Sequence, residues 1–320
     1  MTLQYAGIDE AGYGPMLGPL CVAMASFTID NWSPGEKAPD LWALLDKAVG
    51  KSKRDAKQRI AVGDSKTLKL SNTAKTQHPL VHLERAVLTF LATRDGQYPT
   101  TDIQLFEALG AKLENQPWYF GEPIPLPLGF TNDQLAIDAS HLKTIMNKAN
   151  VKLNELTVRV VDVTEFNQTY IEHRSKAAAT QLALLELLSQ VQSQRNQHKF
   201  SRIICDRQSG RTRYHSILST VFDELETQEE TSRASRYAVG NELGITLTPK
   251  ADNAYFPVAL SSMAAKLVRE IAMIRFNRYW STRQLELKPT VGYVQDARRW
   301  LNDMDKTLSD EERTAMIRLA

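Results

Sequence analysis

The chain has 320 residues, 42% of them hydrophobic, which is enough for one large domain or two small ones. Its 39 Lys and Arg nearly balance 37 Asp and Glu, so the net charge of +2 neither requires nor excludes a nucleic-acid partner. No apolar run reaches the ~18 residues of a membrane span and no leader sequence follows Met1, so we expect a cytoplasmic protein without membrane segments.

Strands and helices are predicted from the spacing of apolar residues. Strand-like runs and helical spacing follow one another along the chain in this order: strands Leu3–Asp9 and Pro19–Ile29, a short helix Leu41–Val49, a helix His78–Thr93, a strand Leu156–Val163, a helix Glu165–Val191, a strand Arg202–Asp206, a helix Arg213–Leu225, short strands Tyr237–Val239 and Ile245–Thr248, a helix Ala254–Trp280, and one or two amphipathic helices from Gln295. Since strands and helices alternate after an initial hairpin-like pair, we predict an α/β protein, a mixed β-sheet flanked by helices.

Two segments interrupt this pattern, at about 31–60 and 95–150. The stretch 95–132 is dense in Pro and Gly and is predicted to be mostly loop. We expect one domain over 1–320, with both segments as inserts and a helical C-terminal extension from about residue 281.

The two cysteines, Cys21 and Cys205, each lie inside a predicted buried strand. No CxxC or Cys/His spacing accompanies them, which argues against a zinc site or a disulfide framework. A zinc pair at His78 and His82 is also disfavoured, because Pro79 interrupts the helix that would carry it.

Acidic residues end two predicted strands and precede the long helix. Asp9 and Glu10 are adjacent at the end of the first strand, Asp206 ends a short buried strand, and Asp252 lies just before the helix. Buried acid pairs raise each other's pKa, and a fold that keeps them usually offsets their charge with a divalent cation. The sequence therefore predicts a metal site. Because neighbouring residues of a flat strand point to opposite faces, a bend near Gly12 and Gly14 would be needed to bring Asp9 and Glu10 together.

Five segments, in this order, resemble type 2 ribonuclease H (ribonuclease HII): GIDEAGYGP, GDSKTLKLS, ICDRQ, PKADNAYFPVALSSMAAKLVRE and VGYVQD. With the strands between them they cover about half of the chain, and the two inserts lie outside. The resemblance implies a ribonuclease H-like sheet and hydrolysis of the RNA strand of RNA/DNA hybrids, or of DNA containing ribonucleotides, giving 5′-phosphate and 3′-hydroxyl ends. It also implies a monomer.

The resemblance assigns catalysis and metal binding to four carboxylates: Asp9, Glu10, Asp206 and Asp252. They would hold two Mg²⁺ or Mn²⁺ ions at the scissile phosphate, a role for which oxygen ligands suit hard cations. It assigns substrate contacts to Gly12, Tyr13, Gly14, Lys66, Ser262, Lys266 and Tyr293.

Tyr13 departs from the family pattern, which has arginine between the two glycines. A tyrosine cannot replace a guanidinium at a phosphate, although it can stack on a sugar or base. An alternative is therefore a ribonuclease H-like nuclease with another substrate preference, or a protein that binds hybrids without cutting them. An ATPase of the sugar-kinase or actin class, whose first strand also carries an acidic Gly-Ile-Asp start, is disfavoured because no second glycine-rich phosphate loop follows a later strand.

Overall fold

The computed structural model describes residues 1–194, 199–208 and 210–319. Its strands form a seven-stranded sheet in the order β5-β2-β1-β6-β9-β8-β7 and a separate pair, β3 and β4. The strands are β1 (Leu3–Ala11), β2 (Leu20–Ile29), β3 (Val49–Gly50), β4 (Ile60–Ala61), β5 (Val151–Val161), β6 (Phe200–Asp206), β7 (Glu226–Glu230), β8 (Ser235–Val239) and β9 (Leu243–Thr248). In the large sheet β1, β6 and β9 are parallel neighbours, and the other pairings are antiparallel.

The helices are α1 (Leu41–Leu44), α2 (Ser65–Leu68), α3 (Val81–Asp95), α4 (Asp102–Ala108), α5 (Asn132–Lys148), α6 (Val163–His173), α7 (Lys176–Ser193), α8 (His215–Leu218), α9 (Phe256–Arg283), α10 (Val294–Asp303) and α11 (Asp310–Met316). Helix α9 packs on one face of the sheet with α3, and α7 packs on the other face. The predicted mixed sheet flanked by helices, with its initial antiparallel pair, is confirmed. No helix of the described ranges is long and apolar enough to cross a membrane.

Gly7 allows α9 to pack directly on the central strand β1. A Cβ atom at this position would lie 2.2 Å from the backbone nitrogen of Val258 and 2.4 Å from the carbonyl carbon of Pro257. Only glycine permits so close an approach of helix and strand backbones. The start of α9, and with it the segment that carries Asp252, is thereby fixed against β1.

A third apolar cluster surrounds the end of α9. Trp280, Trp300 and Met316 are buried there with Leu17, so α10 and α11 pack against α9 and against the loop after β1. Leu17 also pairs with Ile317 in an isolated antiparallel bridge. The end of the described chain is therefore joined to the loop that contains Gly12 and Gly14.

Some predicted boundaries are wrong. The helix predicted over Glu165–Val191 is two helices, α6 and α7, because Arg174 has a left-handed conformation (φ 51°) that ends α6. The helix predicted over Arg213–Leu225 is confined to α8, and the strand β7 that follows it was not predicted.

The two inserts also differ from prediction. The helix expected over Leu41–Val49 ends at Leu44, since Val49 belongs to strand β3. The stretch 95–132 contains α4, whose first residue Asp102 is buried in an ion pair with Arg275 of α9.

Candidate metal and nucleic-acid site

Three of the acidic positions converge at one edge of the sheet. Strands β1 and β6 are parallel and in register up to Ile8 and Cys205, so Asp9 and Asp206 follow at the carboxyl ends of neighbouring strands. The Asp206 carboxylate accepts a hydrogen bond from the backbone N–H of Ala251 (2.7 Å), which ties the segment carrying Asp252 to the end of β6. Adjacent parallel strand ends are where open α/β sheets place ligands.

The pKa values of these carboxyl groups are raised by burial and by one another. Burial, then the charges of Glu10 and Asp206, place the pKa of Asp9 well above its usual range. Burial and the Asp206 charge raise the pKa of Glu10 to about 7, and the Lys66 ammonium opposes this shift. Burial also raises the pKa of Asp206 and of Asp252, again against the Lys66 charge. The four carboxylates thus form a single cluster of negative charge.

Asp9 and Glu10 reach this cluster from opposite faces of the sheet. Strand β1 stays in register with β2 through Asp9 and Glu10 to Ala11, so the bend expected at this point is absent from the strand itself. Asp9 lies on the α9 face, close enough to the Ser262 hydroxyl for this group to oppose the rise in the pKa of Asp9. Glu10 lies on the face of Ile8 and close to Tyr13, since its charge raises the pKa of that phenol.

The cluster suits a divalent cation by its donors. Carboxylate and hydroxyl oxygens are ligands of Mg²⁺ and Mn²⁺. The raised pKa values of the carboxyl groups show that burial and mutual repulsion outweigh the stabilisation of their negative charge by nearby cations. In the described ranges, however, no group of three or more His, Cys, Asp or Glu side chains is arranged to hold a metal ion. This result agrees with the placement of Asp9 and Glu10 on opposite faces of β1.

The loop after β1 carries three of the proposed substrate contacts. Gly12 has φ 93°, and a Cβ atom there would lie 2.7 Å from Arg269 Cδ and from the Pro19 carbonyl oxygen. Gly14 faces open space, with nothing within 4 Å of a Cβ at that position. Tyr13 between them is partly exposed, so its ring is available to a ligand at this edge.

Lys66 lies beside the carboxylate cluster on the short helix α2. Asp64 caps this helix by accepting the Lys66 backbone N–H (2.8 Å), and the Ser65 hydroxyl lies 2.9 Å from the Ser262 hydroxyl on α9. The Lys66 side chain is exposed. It is therefore a cation that can face both the carboxylates and a bound anion.

The remaining proposed contacts lie along and after α9. Ser262 and Lys266 are both buried, and Lys266 forms an ion pair with Glu270 (3.3 Å) inside the helix face. Tyr293 has a 48% exposed side chain, and its ring centroid lies 5.7 Å from the Arg269 guanidinium. Tyr293 is therefore open to a ligand, whereas Lys266 is engaged by the protein.

Two further residues beside the site were not among the predicted site residues. The Asp64 charge raises the pKa of Asp252, so a fifth carboxylate adjoins the cluster. Lys51, from the first insert, donates to the carbonyl of Asn253 and stacks on Trp42 at 4.5 Å. The only sequence signals were the GDSK loop for Asp64 and the basic run 51–54 for Lys51.

Comparisons with known proteins give structural matches alone. No protein-family model matches the chain, and the search of curated proteins found no significant match. Similar solved structures include the PCNA:RNase HII complex from Archaeoglobus fulgidus (13% identity, 99% of this chain and 94% of that chain, TM-score 0.42). They also include ribonuclease H2 from Pyrococcus horikoshii OT3 (16%, 95% and 87%, TM-score 0.40) and Bst-RNase HIII in complex with Mn²⁺ (16%, 99% and 66%, TM-score 0.39).

These structures belong to the family that the sequence motifs resemble, type 2 ribonuclease H. Their identities are below 25% and their TM-scores below 0.5, so they decide nothing about activity or metal use in this chain.

Proposed function

We propose that the chain is a divalent-cation-dependent endoribonuclease that cuts the RNA strand of RNA/DNA hybrids and leaves 5′-phosphate and 3′-hydroxyl ends. The observation that supports this proposal best is the convergence of Asp9, Glu10, Asp206 and Asp252, from three separate segments, with mutually raised pKa values. Such a cluster is costly to keep ionised unless a cation shares it.

In this proposal the four carboxylates hold Mg²⁺ or Mn²⁺. When bound, such ions activate water and stabilise the departing 3′ oxygen. Asp9 is held for this role by the Glu10 backbone N–H, which donates to its carboxylate (2.7 Å), and Asp206 is held by the Ala251 N–H. The exposed Lys66 ammonium would attract the phosphate backbone to the same edge.

The loop Gly12–Gly14 would receive the RNA–DNA backbone. Gly14 leaves room for close approach, and the partly exposed Tyr13 ring can stack on a sugar or base. Tyr293 is exposed close to Arg269, which Gly12 also contacts, so it would bound the same groove.

The test is cleavage of end-labelled RNA/DNA hybrid, duplex RNA, DNA with a single ribonucleotide, and plain DNA, with mapped cut positions and with Mg²⁺, Mn²⁺ or EDTA. We expect hybrid cleavage that EDTA abolishes and that Asp9→Asn or Asp206→Asn lowers at least ~10³-fold. Circular dichroism should show that both variants stay folded. Full activity in either variant would refute the assignment.

A second candidate is a hybrid-binding protein that does not cut, or a nuclease for another substrate. It is favoured by the absence, in the described part of the chain, of a carboxylate group already arranged for metal binding, and by Tyr13. Tight binding of the hybrid without cleavage in either metal would support the first form, and cleavage of another member of the panel would support the second.

A further inference from the structure

Two arginines are buried directly beneath the loop that carries Gly12. Arg269 lies on α9 and Arg318 lies just after α11, and their exposed fractions are 1% and 3%. Arg269 fills the space where a Cβ of Gly12 would be, and the backbone N–H of Arg318 donates to the Met16 carbonyl (2.9 Å). Arg269 through its side chain and Arg318 through its backbone therefore support this loop.

Within the described part of the chain, most of the guanidinium donors of this pair have no acceptor. All three side-chain nitrogens of Arg318 lack a hydrogen-bond partner among the described residues. Arg269 donates through Nη2 to the Val291 carbonyl (2.9 Å), whereas its Nε and Nη1 lack a hydrogen-bond partner in the same set. Buried polar groups in folded proteins are nearly always satisfied, so five unsatisfied nitrogens in one place indicate a missing acceptor.

The aromatic contacts of the pair leave these donors available. The Arg318 guanidinium carbon lies 4.9 Å from the Phe166 ring centroid, and that of Arg269 lies 5.7 Å from the Tyr293 ring centroid. Rings interact with the face of a guanidinium, while its N–H groups point outward in the plane. The rings thus cover the faces without supplying an acceptor.

The surroundings also have a surplus of positive charge. Among the described residues, Arg269 Nη1 lies 3.7 Å from the Glu270 carboxylate, which is shared with Lys69 at 3.7 Å and Lys266 at 3.3 Å. Burial, followed by the Arg269 charge, lowers the pKa of Arg318 to about 9, so Arg318 is still a cation at neutral pH. Three cations thus share the Glu270 carboxylate, and Arg318 adds a fourth positive charge within electrostatic range of Arg269.

Two buried acidic groups near Arg318, the Cys21 thiol and the Tyr119 phenol, are neutral. Burial raises the pKa of the Cys21 thiol to about 12, and burial also raises the pKa of the Tyr119 phenol above its ordinary value. Both groups lie within electrostatic range of Arg318. Neither balances its charge at neutral pH.

We infer that Arg269 and Arg318 bind a small oxyanion of the phosphate class beneath the Gly12 loop. The planar donor fork of arginine matches the oxygens of such an anion, and a pair of forks supplies both charge and hydrogen bonds. Tyr293 is half-exposed and its ring lies beside Arg269, so we expect the anion to enter from the surface next to Tyr293. The anion is either a phosphate of a bound nucleic acid or free inorganic phosphate.

The first arm of the test needs no nuclease activity, so it stands even if the proposed function fails. Thermal unfolding of the full chain is measured with EDTA in phosphate-free buffer, with sodium phosphate or with sodium chloride of equal ionic strength. At ten times Kd, phosphate should raise Tm by about 2 °C over chloride. Arg318→Met should lose this rise, and the control Arg298→Met, at an exposed arginine, should keep it. Equal phosphate effects in wild type and Arg318→Met would overturn the inference.

If Arg318→Met does not fold, the wild-type chain still decides the question. The ³¹P resonance of inorganic phosphate should broaden with the protein and sharpen again when sulfate competes; the absence of broadening would overturn the inference.

A second arm identifies the source of the anion. Binding of a labelled RNA/DNA hybrid to the Asp9→Asn variant is measured with increasing phosphate at constant ionic strength. Competition indicates that a phosphate of the nucleic acid occupies the arginine pair. Unchanged hybrid affinity, together with the phosphate-dependent rise in Tm, indicates that the pair binds free phosphate.

Discussion

Glu10→Gln should stabilise the metal-free protein at neutral and alkaline pH. Burial and the Asp206 charge raise the pKa of Glu10 from 4.5 to about 7. Each pKa unit corresponds to about 1.4 kcal/mol, so the ionised carboxylate destabilises the folded state by about 3 kcal/mol. Glutamine has nearly the same shape and no charge, and we expect it to recover about 2–3 kcal/mol of the free energy of unfolding at pH 8.

The sign of the pH dependence follows from the raised pKa. The folded state binds the Glu10 proton more tightly than the unfolded chain, so the stabilising effect of protonation is complete below the unfolded pKa and is lost as pH rises from about 4.5 to about 7. Wild-type stability should therefore fall over this interval. In Glu10→Gln the fall should be smaller, and the two proteins should differ little at pH 4.

Urea unfolding followed by circular dichroism, in EDTA at pH 4, 6 and 8, measures this difference. Glu286→Gln, at an exposed position, is the matched control and should follow the wild type. Added Mn²⁺ should stabilise the wild type at pH 8 more than it stabilises Glu10→Gln, because the ion would relieve the same repulsion. Equal stability of Glu10→Gln and wild type at pH 8 in EDTA would refute the electrostatic reasoning.

Three more substitutions test other contacts. Lys66→Ala should weaken hybrid binding about tenfold and reduce its salt dependence by about one phosphate contact, measured by salt titration; an unchanged slope would exclude Lys66 from the nucleic-acid interface. Gly7→Ala should cost about 3 kcal/mol or more in urea unfolding, because its Cβ would lie 2.2 Å from the backbone of α9; a near-neutral effect would show that α9 can move away. Arg275→Met should cost about 3–5 kcal/mol in the same assay, since it leaves the buried Asp102 carboxylate unpaired, and adding Asp102→Asn should recover part of the loss.

The central sheet could be predicted because its strands are locally distinctive. Strands β1, β2 and β6 are rich in apolar residues and almost entirely buried, as expected where both faces of a sheet are covered. The acidic residues at their ends stand out against these runs. The sequence alone was therefore enough to place Asp9 and Asp206 at the carboxyl ends of their strands.

The missed elements have no such local signal. Strand β7 reads ETQEE and has no apolar alternation; it forms because it pairs with β8. The break between α6 and α7 depends on a left-handed Arg174, which apolar spacing cannot indicate because the stripe continues on both sides.

Burial of the polar face of α9 could not be predicted from the sequence either. Ser262, Lys266 and Arg269 have the spacing of a solvated helix face, yet all three are buried. Ser262 and Arg269 find partners elsewhere in the chain, Ser65 of the GDSK loop and Val291 of the loop after α9, whereas Lys266 pairs with Glu270 of α9 itself. Sequence spacing identifies a face, but only the tertiary arrangement determines whether it meets water or another segment.

Asp9 and Glu10 are adjacent in the sequence, but their side chains have different surroundings in the structure. The Asp9 carboxylate accepts a hydrogen bond from the Glu10 backbone N–H (2.7 Å) and lies close to the Ser262 hydroxyl of α9. Glu10 extends from the other face of β1, since neighbouring residues of a strand point to opposite faces. In the proposed metal site, Asp9 would therefore approach an ion from the α9 face and Glu10 from the opposite face, so the two adjacent acids would not be equivalent ligands.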